Sequence, residues 1–520
     1  MLSWTLIALI TISGWAISCL ITYRRQLADV QYLAGPRHPF SPFTLVAALL
    51  PTTDWTAGLL MNWVGRHACK SLGLHDVIAL VPFISGRSVL YTRSVEVAKQ
   101  ILGHKSDWDK VAEQVDALAL FGENLFSSYR EGWQRHRRIA GPGFKPKLYE
   151  QVWNESIRTY YEMIRTEGWL ARESYLHGDV TAMTSKIALY LIASCGFGMS
   201  LSWDKAVGEQ IKGMTLGECF HIVSSSIYAQ IFLPKWVFRL PFKTLRKIHQ
   251  ANFVLESILL GIIERRKADG AANRKERAEK DVFTLLLDAN EDEADRKNAL
   301  TDRELLSDVF LLLVAGHETT SHALASSLGL LACNPDIQEK ARKEIISVVP
   351  DGCDPTFHDS ERFLYVQACF LEAIRLFPSV AGIPQRAVAD TILHISADNG
   401  TTTDLVVKRD QYIVIDLFAI SYNSSYYPDP DQYIPERWLD PTTEQGVNFG
   451  AGPRICIGRK FALSEATAIL AMIIRDFTIE PVLREGETLV QWRLRCLDGS
   501  VANSLGFGPT AFPLRFKKRG

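Results

Sequence analysis

The sequence predicts a mainly α-helical body with small β-sheets, preceded by an N-terminal transmembrane helix. Three observations carry this reading. Residues 2–22 are almost wholly apolar and uncharged, and about 20 helical residues at 1.5 Å each span the roughly 30 Å of a bilayer core. Residues 301–331 are apolar on nearly every face, the pattern of a helix buried on all sides. Helical periodicity dominates from about Val95 onward, and β-type alternation is confined to residues 76–91 and 392–414.

The apolar N-terminal run is followed by Tyr23-Arg24-Arg25, and basic residues after a span favour a cytosolic position for the rest of the chain. A cleaved secretory signal is the competing reading, but no basic stretch precedes the run, which is also long for a signal. Residues 1–25 are therefore expected to be an anchor. Residues 26–45, with Gly35, Pro36, Pro39 and Pro42, read as a stiff hinge, and residues 46–520 as the functional domain. Residues 76–91 should form a small sheet around a turn at Gly86-Arg87. The stretch from Glu264 to Arg303 is dense in charge around an apolar island at 281–289, which reads as two solvated loops flanking a surface helix. Thr301-Asp302-Arg303-Glu304 is a capping box opening the long buried helix. Asn334-Pro335 closes that helix and Pro335 starts the next. A second buried helix should run over residues 360–377 and stop at Pro378, and Asn399-Gly400 signals a hairpin.

Composition narrows the function classes. Fifty-seven basic and 58 acidic residues leave a formal charge of -1, so no global field attracts nucleic acid. Nine cysteines are dispersed without a C-x-x-C pair, which suits reduced thiols facing the cytosol better than a disulfide framework. Three N-x-S/T matches begin at Asn154, Asn399 and Asn423. In a cytosol-facing domain all three stay unmodified.

Four constellations carry chemistry. The first runs from Phe449 through Gly450, Gly452, Arg454 and Cys456 to Gly458. Glycines permit a tight turn before the cysteine, Gly458 allows close approach after it, and Arg454 offers a fixed cation for an anionic group. Taken alone, a cysteine among glycines is more often a buried structural residue. The second is Ala315-Gly316-His317-Glu318-Thr319-Thr320, mid-way along the long helix. An acid and two hydroxyls there are costly unless partnered. They make either a self-satisfied kink or a notch with an acid–alcohol pair that relays protons. The third is Glu372 and Arg375, three apart on the second buried helix, joined by Pro435-Glu436-Arg437-Trp438. A buried pair of this kind needs a further partner, and Arg437 is the candidate. The fourth is Trp133 and Arg137, four apart and so on one helix face, within a basic run that also holds Arg135 and Arg138.

Together these motifs resemble the cytochrome P450 family. The cysteine loop meets its F-x-x-G-x-R-x-C-x-G pattern at every specified position, and A-G-x-E-T-T, E-x-x-R, P-E-R-W and W-x-x-x-R also occur, all in family order. The resemblance covers roughly residues 36–519 and is strongest toward microsomal, fungal members. It implies heme b with Cys456 as thiolate ligand to iron and Phe449 shielding the sulfur. Trp133, Arg137, Arg386 and Arg454 would meet haem propionates, Gly458 would allow close approach, and Ala315 and Gly316 would line the oxygen site. Glu318 and Thr319 would deliver protons as the catalytic pair. The Glu372, Arg375 and Arg437 set would be structural. The family's activity is insertion of one atom of O2 into a lipophilic small molecule such as a terpenoid, polyketide or fatty acid, typical of secondary or lipid metabolism. The stretch after the cysteine loop is too short for a flavin or NADPH module. Electrons are thus expected from NADPH through a separate cytochrome reductase, with cytochrome b5 a further candidate donor and Arg135, Arg138, Arg459 and Lys460 as docking charges. The expected location is the endoplasmic reticulum membrane, single-pass, with the catalytic domain in the cytosol. A haem isomerase or dehydratase, and a non-enzymatic haem protein, are the alternatives; neither has a use for the Glu318–Thr319 pair. One departure stands out: Asn423-Ser424-Ser425 occupies a place where many relatives carry His-Arg.

Overall fold

The computed structural model describes residues 4–58, 60–66, 76–103, 107–112, 115, 118–199, 202–204, 213–268, 282–291, 299–350, 352–396, 401–440, 447–499, 501–503 and 506–519. The chain divides into two compact units. One holds residues 1–114, 381–430 and 449–455, the other residues 115–380, 431–448 and 456–520.

The first unit begins with α1 (Trp4–Asp29), 26 residues with mean hydropathy 1.9 over its most apolar window and no buried residue. It is long and apolar enough to cross a membrane. The helix continues past Arg24 and Arg25, and Gln26 Nε2 donates to Gly86 O at 3.0 Å. Within residues 26–45 lies β1 (Arg37–Phe40), which pairs in parallel with β2 (Val77–Ser85), Arg37 opposite Val81. The Arg37 guanidinium locks this arrangement by donating to the carbonyls of Leu33, Gly35, Pro36 and Ala79. β2 turns at Gly86 into antiparallel β3 (Val89–Thr92), as its alternation predicted. Helix α2 (Val95–Leu102) comes next, capped by Ser94. With β4 (Trp108–Lys110), β6 (Gly382–Ala387) and β9 (Tyr412–Asp416), these strands form one sheet in the order β1-β2-β3-β9-β6-β4. Its face is apolar, with Leu80, Val89, Tyr91, Val111 and Val414 in one buried cluster. Strands β7 (Thr391–Ser396) and β8 (Thr402–Val407) pair as an antiparallel hairpin. The Asn399-Gly400 signal that suggested it lies outside the described residues.

The second unit is built of helices, chiefly α3 (Arg130–Ala140), α4 (Pro146–Thr166), α5 (Val180–Leu191), α6 (Leu216–Ser225), α7 (Lys243–Ala268), α8 (Val282–Glu291), α9 (Asp302–Cys333), α10 (Pro335–Val348), α11 (Leu364–Leu376) and α12 (Arg459–Asp476). Strand β5 (Ser174–His177) joins β10 (Phe477–Pro481) and β13 (Leu514–Lys518) in a sheet, while β11 (Val501–Asn503) pairs with β12 (Phe507–Pro509). The axis of this unit is α9, 32 residues long, opened by the predicted box: Thr301 Oγ1 accepts from Glu304 N and the Glu304 carboxylate accepts from Thr301 N. It packs along α5, α11 and α12, which explains why it is apolar on nearly every side. Helix α8 coincides with the apolar island, but it is more than a surface helix. Val282, Phe283, Leu286 and Leu287 are buried, because a 3.6-residue repeat aligns them on one face. The charged loops expected around it lie largely outside the described residues.

Candidate active site

The cysteine loop is held by its glycines. In the first unit, Gly450 and Gly452 have φ of 74° and 64°, left-handed values that side chains disfavour. Gly452 is also pressed against α2: a Cβ there would lie 2.1 Å from the Leu102 carbonyl oxygen. Gly452→Ala is therefore expected to displace the loop, with a strained φ and a backbone clash acting together, and to cut the yield of haem-loaded protein sharply. Absorbance of purified protein, haem Soret against total protein, checks this.

In the second unit, Cys456 stands just ahead of Gly458, the N-cap of α12. The thiol is exposed, yet protein crowds it closely enough that desolvation pushes its pKa up. The backbone N–H groups of Gly458 and Arg459 and the charges of Arg137 and Arg459 pull the other way. An accessible sulfur, backed by amide donors and guanidinium groups at the start of an 18-residue helix, is the donor set that a metal-bound thiolate needs.

The middle of α9 departs from the burial of the rest of that helix. Ala315 is exposed, and Leu312, Gly316 and Thr319 are half-buried. These positions are i, i+3, i+4 and i+7, one helix face. Thr319 Oγ1 donates to Ala315 O at 2.8 Å, the back-bond expected of a mid-helix threonine, and Ser379 Oγ donates to Thr319 O at 2.9 Å. Glu318 is buried. Burial works to raise its pKa, but contact with His322, the charges of His322 and His317 and a hydrogen bond from Ser224 bring it down to about 2. Its carboxylate thus turns toward imidazoles. His317, on the opposite side, is buried and pushed down to about 4 by desolvation, with its Nε2 2.8 Å from Ser185 Oγ.

Several cations are placed where anionic groups can be met. In the second unit, Trp133 and Arg137 lie one turn apart on α3, both half-buried, and Arg137 acts electrostatically on Cys456. In the first unit, Arg386 lies on β6, 3.6 Å from Asp410, and its Nε is buried without a hydrogen-bond acceptor. Arg454 belongs to the same unit. Its guanidinium acts on Lys110, 8% exposed on β4. Burial first, and that charge second, push the Lys110 ammonium well below its ordinary range. Two crowded cations, one of them buried, fit an anionic partner such as a haem carboxylate. The sequence reading missed Lys110; the only local signal was a lysine directly before Val111, at the end of the short strand Trp108-Asp109-Lys110. Arg135, read as a docking charge, is instead committed within the second unit, donating to Glu304 and to Ala299 O. It bridges α3 to the start of α9.

Glu372 and Arg375 are fully buried, and the further partner their burial demands is present. Glu372 accepts from Arg375 Nε and Nη2 at 2.8 and 2.7 Å, from Trp438 Nε1 at 2.9 Å, from Ile434 N at 3.0 Å and from Arg437 Nε at 3.3 Å. Arg375 also donates to Gln432 O. Arg437 was predicted, whereas the indole and the backbone donor were not.

Comparison with known proteins identifies the family. The family model for cytochrome P450 matches residues 82–492. Cytochrome P450 monooxygenase 124 of Postia placenta is 34% identical over 472 residues, covering 89% of this chain and 90% of that protein. Ganoderic acid synthetase of Ganoderma lucidum is 25% identical over 91% of this chain and 92% of that one. A solved cytochrome P450, CYP102L1, superposes with a TM-score of 0.71 at 22% identity, over 91% of this chain and all of that one. The chain belongs to the cytochrome P450 family of haem-thiolate monooxygenases.

Proposed function

We propose that this chain is a membrane-anchored monooxygenase that inserts one oxygen atom into a lipophilic small molecule, with electrons drawn from NADPH through a separate reductase. The observation that carries the reading is the open face of α9: Ala315 is exposed and Leu312, Gly316 and Thr319 are half-buried, between stretches 305–311 and 323–332 that are buried throughout. A helix packed for stability alone has no reason to leave that stripe uncovered. Haem bound through a thiolate supplies the oxygen chemistry, using two electrons and two protons to place one atom on substrate and release the other as water.

The chain's own residues do the rest. Cys456 would supply the sulfur, its charge shared by the Gly458 and Arg459 amides, and the resemblance gives Phe449 the role of its shield. By the family resemblance, Trp133 and Arg137 of the second unit would meet haem carboxylates, and so would Arg386 and Arg454 of the first unit, with Lys110 added by its burial beside Arg454. By the family resemblance, Ala315 and Gly316 would line the oxygen site, and Ala315 is exposed on this face. Thr319 presents a hydroxyl on the same face, and Glu318 stands one residue away as the acid of the pair. By the resemblance, residues 111–126 and 310–315 would wall the pocket, and their apolar content favours a hydrophobic substrate. The names of two relatives, ganoderic acid synthetase and cyclooctat-9-en-7-ol 5-monooxygenase of Streptomyces melanosporofaciens, favour a terpenoid among the lipophilic classes. Anchoring by α1 would place the enzyme on the endoplasmic reticulum with this domain in the cytosol. There Arg138, Arg459 and Lys460 remain docking charges for the reductase, with cytochrome b5 a second candidate donor.

The test is NADPH and oxygen consumption by membranes containing the protein and a reductase, alongside the carbon monoxide difference spectrum after reduction. A strongly red-shifted Soret band with substrate-stimulated NADPH oxidation is expected. No NADPH oxidation by protein showing that band overturns the monooxygenase reading. Thr319→Ala is expected to keep the band but send a several-fold larger share of electrons to peroxide, measured as peroxide formed per NADPH.

A further inference from the structure

His322 lies one turn beyond Glu318 on α9, outside the set of residues placed in the oxygen site. Its Nε2 is 3.5 Å from Glu318 Oε2, with the two side chains 12% and 10% exposed. Ala315, Thr319 and His322 are i, i+4 and i+7, so the imidazole shares the open face of the helix. The ring has a seat shaped for it. A Cβ on Gly508 would come within 2.6 Å of His322 Nδ1, and one on Gly506 within 2.9 Å of its Cδ2 and 3.2 Å of Glu318 Oε2. Side chains at those two positions would evict the imidazole. The seat is also tied to the helix: Phe507 N donates to Ser379 O, and Ser379 Oγ donates to Thr319 O. His322 Nδ1 and Glu318 Oε2 are both buried without a hydrogen bond, although buried polar atoms are normally satisfied.

We propose that His322 is the positioning residue for Glu318 and the proton-bearing member of the pair, so that the relay in this chain runs histidine, acid, alcohol. An imidazole nitrogen can give and take a proton, and His322 Nε2 lies 3.5 Å from Glu318 Oε2. The step is a proton transfer. The Nε2–H bond of the imidazolium breaks and an O–H bond forms at Glu318 Oε2. The ring loses its positive charge as the carboxylate loses its negative one, and solvent restores the imidazolium. The other titratable groups acting on the pair are His317 on α9 and, through it, His221 on α6, while residues 506–509 of the seat carry no charge. The holding of Glu318 well below the ordinary carboxylate range is what such an arrangement produces.

The inference rests on reading Glu318 as a proton-delivery residue, and the experiment separates the two. Full-length haem-loaded protein is titrated by infrared spectroscopy, with the Glu318 carboxyl band identified as the one lost in Glu318→Gln. In the parent the carboxylate should stay ionised far into acid, and in His322→Ala its protonation should move up in pH. With reductase present, His322→Ala should raise the ratio of peroxide to water by about tenfold, short of the hundredfold or more that a general acid contributes. His322→Gln should keep the carboxylate in place without carrying a proton, restoring much of the infrared titration but not the ratio. An unchanged Glu318 titration in His322→Ala overturns the proposal. So does a parental peroxide ratio in His322→Ala when Glu318→Gln is impaired. A parental ratio in Glu318→Gln overturns the reading of Glu318 beneath it, and the relay with it.

Discussion

Glu372→Ala is expected to leave no haem-loadable protein in the membrane fraction. Five hydrogen bonds converge on this fully buried carboxylate, from Arg375, Trp438, Arg437 and Ile434 N. Removing it takes away the counter-charge of the Arg375 guanidinium, which is equally buried. Breaking one side of a buried ion pair costs about 3–5 kcal/mol. Whole domains are stable by only about 5–15 kcal/mol, so a single such loss removes about a fifth or more of the total. Trp438→Phe gives the graded control: it deletes one hydrogen bond to a charged group, worth about 1.5–3 kcal/mol, and should fold with a lower thermal midpoint. The yield of haem-loaded protein measures the first, and thermal melts of the Soret band measure the second. A Glu372→Ala protein melting at the parental temperature would show that Arg375 finds other acceptors.

Cys456→Ala should abolish the red-shifted carbon monoxide band entirely and with it NADPH-dependent oxygen chemistry. The reason lies in the surroundings of the sulfur. No other described cysteine combines exposure with amide donors at a helix start. Cys195, Cys219, Cys369 and Cys496 are buried, and burial pushes the Cys195 and Cys369 thiols far up, where a thiolate is not accessible. Because the side chain is small and sits at the surface of its unit, the variant should fold, and far-ultraviolet circular dichroism should match the parent. A persisting red-shifted band in the variant would move the ligand elsewhere.

The legible part of the sequence was mostly local. The box at Thr301–Glu304 set the start of α9 to within a residue, because both capping hydrogen bonds join neighbours in the chain. Pro335 set the next boundary by its missing N–H. Glu372 and Arg375 were legible as a buried pair because an apolar helix gives them no other place. Long-range pairing was not legible. Strand β1, in the proline-rich stretch around Arg37, was not foreseen because its partner, β2, lies some forty residues on, and a parallel register leaves no turn signal. Lys110 is significant only beside Arg454, far along the chain. Arg135 looked like a surface charge until α9 brought Glu304 to it. His322 was passed over because the motif ends at Thr320, although its i+4 spacing from Glu318 was a usable signal.

The Glu372 cluster also bears on how the protein is made. The acid is synthesised 66 residues before Trp438, its indole donor. At roughly 5–20 residues per second, that gap is about 3–13 seconds of translation. Until it closes, α11 carries a carboxylate that cannot be buried fully satisfied, so the helix must wait in a hydrated state beside the ribosome. The cluster therefore acts as a timer. It delays consolidation of the helical unit until the segment leading into the cysteine loop is next to emerge, and it opens a window in which chaperones meet an unfinished chain.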